Sequence, residues 1–245
     1  MNVVVLAAGE GKRMAADGMP KVLVPLKGKP LISYVLEAIR ASGADAHPTL
    51  VIGVHAELVE KTLGTQYNYV IQAERLGTGH AVQCAQALLE PEADDVLVLY
   101  GDHPLVSAKM IKDLVRAHKS GNNTLTMATT TVPDFKDWYA GFYDFGRIIR
   151  AEDGTLEKII EKKDATTEEL EIKEVNPGYY CFKSAWLWPA LKSIKNDNAQ
   201  KEYYLTDLLA LAVKDEEKIG SVEIDPEEAL GVNTREQLAL VETLL

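Results

Sequence analysis

Short apolar runs alternate along the chain with segments whose apolar residues recur every three or four positions. Val3–Ala7, Thr49–Val54, Asn68–Gln72, Asp95–Tyr100 and Thr124–Thr131 are too short and too continuously apolar or β-branched for amphipathic helices. They predict strands, and Val3–Ala7 and Asp95–Tyr100 read as buried ones, the kind found in parallel sheets covered on both faces. Between them, the 3.6-residue period predicts helices over Pro30–Ser42, Ala56–Leu63, Gly77–Leu89 and Lys109–Lys119. Pro30 suits a first helical turn, Leu31, Val35, Leu36 and Ile39 share one face, and Gly43 suits the stop.

The second half is less regular. Ile148–Arg150 and Leu156–Glu161, separated by Asp153-Gly154, predict a hairpin. Val175–Phe182 and Gly220–Ile224 predict strands, and Ala185–Ile194, Tyr204–Val213 and Thr234–Leu244 predict helices. Strands separated by helices imply right-handed crossovers and a mostly parallel sheet, hence an α/β fold. No linker, low-complexity stretch or tandem repeat divides the 245 residues, so one domain is expected.

Composition narrows the function. The net charge of -11 argues against nucleic-acid or anionic-membrane binding, which need a basic face. No apolar run approaches the roughly 20 residues that span a bilayer. The N-terminus opens directly into a strand with no leader pattern. Two cysteines, Cys84 and Cys181, make no CxxC and no disulfide framework. A reduced, cytoplasmic setting is the expectation.

Against this acidity, Leu6–Met14 (LAAGEGKRM) gathers two glycines, Lys12 and Arg13 directly after the first strand, and Lys21 follows. Glycines let backbone N–H groups wrap an anion, and the cations add charge-assisted hydrogen bonds. The spacing is neither a Walker loop nor a dinucleotide fingerprint, whose third glycine would stand at Met14. A glycine turn with solvated cations has the same composition.

Two further segments bear chemistry. In DVLVLYGDHPL, Asp102 lies just past the C-terminal end of a buried strand, the edge where open α/β sheets bind ligands. Gly101 allows close backbone approach there. The carboxylate suits Mg²⁺ beside a triphosphate, or a turn in which it bonds its own backbone. In QAERLGTGHA, Gln72 pairs a donor with an acceptor and can read a base edge. Thr78 can cap the helix that follows. His80 reads as a helix-face histidine, Glu202 and Lys201 as solvated, and Trp138, Trp186 and Trp188 as packing residues. Thr234-x-x-Gln237 forms a capping box, which leaves Asn233 free for another role.

With these motifs in order, the chain resembles the sugar-1-phosphate nucleotidyltransferases, and more narrowly the uridyltransferase domain of the bifunctional N-acetylglucosamine-1-phosphate enzymes. GRIIR (Gly146–Arg150), IIEKKDAT (Ile159–Thr166), Asn176-Pro177-Gly178, NAQKEYYLTD (Asn198–Asp207) and GVNTREQL (Gly231–Leu238) extend the resemblance over nearly the whole chain. It implies a three-layer, Rossmann-like α/β fold with a mostly parallel mixed sheet and a smaller sugar-binding subregion. Residues 1–120 would form the nucleotide half, 121–232 the sugar half, and 233–245 a closing helix. The implied reaction is Mg²⁺-dependent transfer of UMP from UTP to N-acetylglucosamine 1-phosphate, giving UDP-N-acetylglucosamine and pyrophosphate. Another sugar 1-phosphate, or a non-catalytic nucleotide-sugar sensor, is the alternative.

The resemblance also assigns roles. Leu6, Ala7, Ala8, Gly9, Gln72, Gly77, Thr78 and Gly101 would bind the nucleotide. Arg13, Lys21 and Asp102 would be catalytic, and Asp102 with Asn233 would hold Mg²⁺. Gly146, Glu161, Asn176, Tyr204 and Thr206 would face the sugar.

The chain departs from the family pattern at Asp144-Phe145-Gly146-Arg147, where Gly-Tyr-Gly-Arg is usual, and at Pro177, where threonine is usual. A longer run, PDFKDWYAGFY, precedes the first of these. The family usually continues into a β-helix acetyltransferase domain, and no acetyltransferase activity is expected of this sequence.

Overall fold

Val3, Val4 and Val5 are all inaccessible to solvent, yet they point to opposite sides of one strand. Val3, Val5 and Ala7 join one hydrophobic cluster, Val4 and Leu6 the other. This is the two-residue alternation of a strand buried on both faces. The computed structural model describes residues 1–9, 11, 14 and 19–245.

The strands are β1 (Asn2–Ala7), β2 (Thr49–Ile52), β3 (Asn68–Ile71), β4 (Asp95–Tyr100), β5 (Leu125–Thr131), β6 (Arg147–Arg150), β7 (Leu156–Ile160), β8 (Glu174–Val175), β9 (Tyr180–Lys183) and β10 (Ile219–Glu223). They form a ten-stranded sheet in the order β3-β2-β1-β4-β9-β5-β8-β6-β7, with β10 also on β5. β3, β2, β1 and β4 run parallel. β9 runs against both β4 and β5, so β5 points with β4, and β10 runs parallel to β5. The far end, β5-β8-β6-β7, is antiparallel, with β6 and β7 forming the predicted hairpin. The central sheet is therefore mixed and mostly parallel.

Helices cover both faces. The cluster on one side takes in α1 (Leu31–Ser42), α2 (Ala56–Leu63), α5 (Ala108–Gly121) and α8 (Arg235–Leu244). The other side takes in α3 (Thr78–Cys84), α4 (Gln86–Leu89), α6 (Ser184–Leu191) and α7 (Asp207–Lys214). In α1, Leu31, Ile32, Val35, Leu36 and Ile39 are buried and Gly43 closes the helix in the left-handed region. Burial stabilises each such side chain by about 1.5–3 kcal/mol over exposure. No helix among the described residues is long and apolar enough to cross a membrane.

Two elements differ from their expected form. The helix expected over Gly77–Leu89 breaks at Ala85, whose N–H closes a tight bond to the Val82 carbonyl at 3.0 Å, so α3 and α4 are separate. The strand expected over Val175–Phe182 is interrupted by Asn176-Pro177-Gly178. Pro177 has no N–H for a ladder, and Gly178 takes φ +87°. The Gly178 N–H donates to Asn176 Oδ1 at 3.0 Å, and the chain moves from the β5–β6 side of the sheet to the slot between β4 and β5.

The run PDFKDWYAGFY has a structural anchor. Arg147 is fully buried and donates to the carbonyls of Leu170, Phe145 and Tyr143, while its guanidinium lies 4.7 Å from the Phe135 ring and 5.3 Å from that of Tyr143. Phe142 is inserted into the core. This arrangement fixes Asp144–Gly146 at the edge of the site. Trp188 is buried and donates to Ser184 Oγ at 2.6 Å, while Trp138 and Trp186 pack against the clusters.

Candidate active site

The C-terminal ends of β1, β3 and β4 converge on a cleft of about 400 Å³. Leu6, Ala7, Ala8 and Gly9 form one wall as β1 ends, and Gln72, Gly77 and Thr78 form the other. Lys21, Asp102 and Asn233 lie along the cleft. A second cleft adjoins it, lined by Gly146, Glu161, Asn176, Tyr204 and Thr206. Thr78, Tyr100, His103 and Glu202 belong to both, so the two clefts form one continuous site.

A clasp holds the clefts together. Tyr203 N–H donates to the Leu76 carbonyl at 2.7 Å and Gly79 N–H to the Tyr203 carbonyl at 2.8 Å. Thr78 Oγ1 accepts from Leu205 N–H at 3.0 Å. The Thr78 hydroxyl is therefore committed to this contact and not to a helix cap, and Gly77 stands at the N-cap position. Gly77 has φ +108°, and a Cβ there would lie 2.5 Å from the Tyr203 oxygen. The glycine is demanded by the clasp.

Lys21 is the central charge. Its ammonium ion-pairs with Asp102 Oδ2 and donates to Asn233 Oδ1 at 2.8 Å. Gly11 makes room for it: at φ +61°, a Cβ would lie 2.5 Å from that of Lys21. Burial pushes the Asp102 carboxyl up, but the Lys21 ammonium and His103 outweigh it and hold the group below the usual carboxylate range. Asn233 is free to face Lys21 because Thr234 and Gln237 cap α8 reciprocally. The loop carrying Asn233 is pinned where Val232 N–H donates to the Asp102 carbonyl at 2.9 Å.

Asp102 and Asn233 offer two hard oxygen donors that already clasp a cation, a set that suits a divalent ion completed by water and phosphate oxygens. Among the described residues, no three His, Cys, Asp or Glu gather as a metal-binding group.

His103 Nδ1 lies 2.7 Å from the Tyr179 hydroxyl, which donates to the Glu228 carbonyl at 2.8 Å. Nδ1 is therefore the donor to Tyr179. Burial lowers the His103 pKa to about 4, opposed by Asp102 and assisted by Lys21, so the ring is neutral at pH 7.

In the second cleft, Glu161 Oε1 accepts from Thr206 Oγ1 at 3.0 Å. Burial raises the Glu161 pKa, the Thr206 bond opposes this, and Asp207, Asp164 and Glu202 add to it. The Tyr204 hydroxyl accepts from Gln200 Nε2 at 2.8 Å. Gly146 is required by the hairpin, since a Cβ would lie 2.8 Å from Ile159 Cγ2. Asp144, the departure from the family pattern, sits at the rim 2.6 Å from Lys162 Nζ.

Arg13 and Lys12 lie outside the described residues. Gly101 does not line the clefts: its N–H donates to the Leu6 carbonyl at 2.9 Å, and it packs towards Ile32 and Val22. Glu202, expected to be solvated, is half-buried and lines both clefts. Arg75 and His103 also line the site and were not singled out. Only the glycine and proline beside His103 marked its position, and nothing in the sequence joined Glu202 to the distant Thr78. His80 has Cys84 one turn along its helix, with Sγ 3.9 Å from Nε2.

A mixed sheet covered on both faces carries a cation-bearing cleft at its strand ends, joined to a second polar cleft, and the family this chain matches is one of NTP transferases. The particular family follows: the model of the MobA-like NTP transferase domain matches residues 3–209, and the chain belongs to that family. Among curated relatives, the chain is 44% identical over 242 residues to the bifunctional protein GlmU of Clostridium beijerinckii. It is 42% identical over 241 residues to that of Exiguobacterium sibiricum. These alignments take in 98% of this chain but 51% and 52% of the relatives, so the chain spans about half the length of the curated relatives it matches.

Solved structures share the fold. A Bacillus anthracis protein described as a glucose-1-phosphate thymidylyltransferase, in complex with sucrose, superposes with a TM-score of 0.78 at 18% identity, covering 99% of this chain and 94% of that one. A UDP-glucose pyrophosphorylase complexed with UDP-glucose gives 0.76 at 19%, covering 99% and 97%.

Proposed function

We propose that the chain transfers UMP from UTP to N-acetylglucosamine 1-phosphate, releasing pyrophosphate, with Mg²⁺ held at Asp102 and Asn233. The observation that carries this reading is the continuity of the two clefts through Thr78, Tyr100, His103 and Glu202. A nucleotide in the first and a sugar phosphate in the second would meet beside Lys21 and Asp102. The similarity to the bifunctional GlmU proteins along the whole chain supports the choice of substrates.

In this reading an oxygen of the sugar phosphate attacks the α-phosphorus of UTP, and the bond from that phosphorus to the bridging oxygen breaks, so that pyrophosphate leaves. The nucleophile is already anionic and needs no base. The protein's work is to align two anions that repel each other and to offset charge on the phosphorus and leaving group. Bound Mg²⁺ would supply Lewis-acid charge neutralisation to the phosphates.

Lys21 turns from Asp102 and Asn233 towards the phosphates, with Arg13 from the same loop. Backbone N–H groups of Ala8 and Gly9 follow the triphosphate, and Gln72 and the Gly77-Thr78 backbone receive the base and ribose. Glu161, Asn176, Tyr204, Thr206 and the Gly146 backbone receive the sugar. On this division residues 1–120 serve the nucleotide and residues 121–232 the acceptor, while Asn233, at the start of the closing segment, returns to the first cleft. The two free cysteines suit a cytoplasmic setting.

A second reading of the acceptor, glucose 1-phosphate or another N-acetylhexosamine 1-phosphate, rests on one observation: Asp144, paired with Lys162, lines the sugar cleft where the family pattern has glycine. A pyrophosphate-release screen of four nucleoside triphosphates against a panel of sugar 1-phosphates, with Mg²⁺ and with EDTA, tests both readings. Turnover with UTP and N-acetylglucosamine 1-phosphate, abolished by EDTA, is expected. Absence of turnover with every pair removes the enzymatic reading.

A further inference from the structure

The Gln72 amide nitrogen has two partners. Nε2 lies 3.1 Å from the Gly77 carbonyl oxygen and 3.1 Å from His80 Nδ1. A carbonyl oxygen only accepts, so the amide presents its NH₂ group to Gly77 and its oxygen the other way. The second amide hydrogen then points to His80 Nδ1, which must carry a lone pair. With that lone pair on Nδ1, the ring proton is on Nε2, facing Cys84 Sγ at 3.9 Å. Both donors of Gln72 are used. Its Oε1 is the remaining polar atom, and it has no protein partner among the described residues, although the residue is buried in the wall of the nucleotide cleft.

We propose that His80 is a positioning residue that fixes which end of the Gln72 amide meets the base, and so sets which pyrimidine the site takes. This rests on the reading of the first cleft as the nucleotide site. An oxygen fixed at that point accepts from the N3–H of uracil or thymine. Cytosine presents a lone pair at N3, so two acceptors would face each other. Reversing the amide to suit cytosine would break its bond to the Gly77 carbonyl and would require His80 to move its ring proton from Nε2, beside Cys84, to Nδ1. With His80 removed, only the Gly77 bond opposes the reversal. A site that commits its polar groups discriminates strongly against a base that leaves them unpaired.

The test compares kcat/KM for UTP and CTP, with one sugar 1-phosphate, in the wild type and in His80→Phe, which keeps a ring but offers no acceptor. The UTP:CTP preference is expected to fall about tenfold, the scale of one hydrogen bond. An unchanged preference in a variant with wild-type circular dichroism overturns the proposal. Histidine ¹⁵N spectra of the wild-type protein supply a readout that does not depend on the variant folding. His80 is expected as the Nε2–H tautomer with unprotonated Nδ1, and the opposite tautomer overturns the proposal. A wild type that turns over neither nucleotide would instead defeat the nucleotidyltransfer reading, and the spectra would still report on the His80–Gln72 pair.

Discussion

The ammonium of Lys21 and the carboxylate of Asp102, 81 positions apart in sequence, form a buried ion pair with Asn233 as its third member. On the proposed function, the two oxygens that would hold a divalent ion are thus taken by Lys21. The lysine and the ion would compete for the same place, and ion binding would free the lysine for the phosphates.

Lys21→Ala should therefore act in opposite directions on two measurements. Mn²⁺ affinity without nucleotide, read by calorimetry or electron paramagnetic resonance, should rise. Turnover should fall at least about a hundredfold, the scale of losing one charge-stabilising donor. An Mn²⁺ affinity that stays the same or falls would dismiss the competition.

The acceptor cleft should be separable from the nucleotide cleft. Thr206→Val removes the hydroxyl that donates to Glu161 and leaves that half-buried carboxylate short of a partner. KM for the sugar 1-phosphate should rise about tenfold, with KM for UTP within about twofold, because the lost contact lies on the acceptor side. Equal effects on both constants would place Thr206 elsewhere in the mechanism.

Gly178→Ala should destabilise by about 2–4 kcal/mol in denaturant unfolding. The residue stands at φ +87°, and an added Cβ would overlap the Tyr100 ring. A shift under about 1 kcal/mol would mean that the turn relaxes freely.

Burial raises the Asp207 pKa to about 6 from 3.8, with Asp164 adding to the shift. The folded state binds this proton more tightly than the unfolded chain does. The associated stability is complete below about pH 3.8 and is lost as pH rises through about 6. Because the side chain is half-exposed, solvent screening reduces the effect to about 1 kcal/mol. Thermal melts from pH 4 to pH 7 should show Asp207→Asn gaining on the wild type as pH rises. A constant difference would exclude the shift.

Local signals were enough for α2 and β4, whose observed limits match the expected ones. Their periods and flanking residues are unambiguous, and nothing distant overrides them. The broken segments were harder. Asn176-Pro177-Gly178 carries its own stop signal inside an otherwise apolar run, and only the sheet order explains why the chain resumes as β9 in a different slot. The loops at Ala8 and Asp102 were readable because strand ends are where α/β folds bind ligands. The shared wall was not: Glu202 and Thr78 line the same clefts because residues 203–205 are clasped to residues 76–79, which no local pattern encodes. At Thr78 and Gly77, where the sequence points to nucleotide contact, the hydroxyl and the missing side chain serve the clasp.

The slot filled by β9 has a consequence for synthesis. β4 is made early and gains β1 at once, but its second neighbour is Tyr180–Lys183. Until that segment leaves the ribosome, the nascent chain presents an apolar strand with an open edge, a template for pairing with other chains. The molecule thus acquires an aggregation-prone edge early in translation and covers it late. Ribosome-bound chaperones that shield such edges would matter more to its yield than to its final stability.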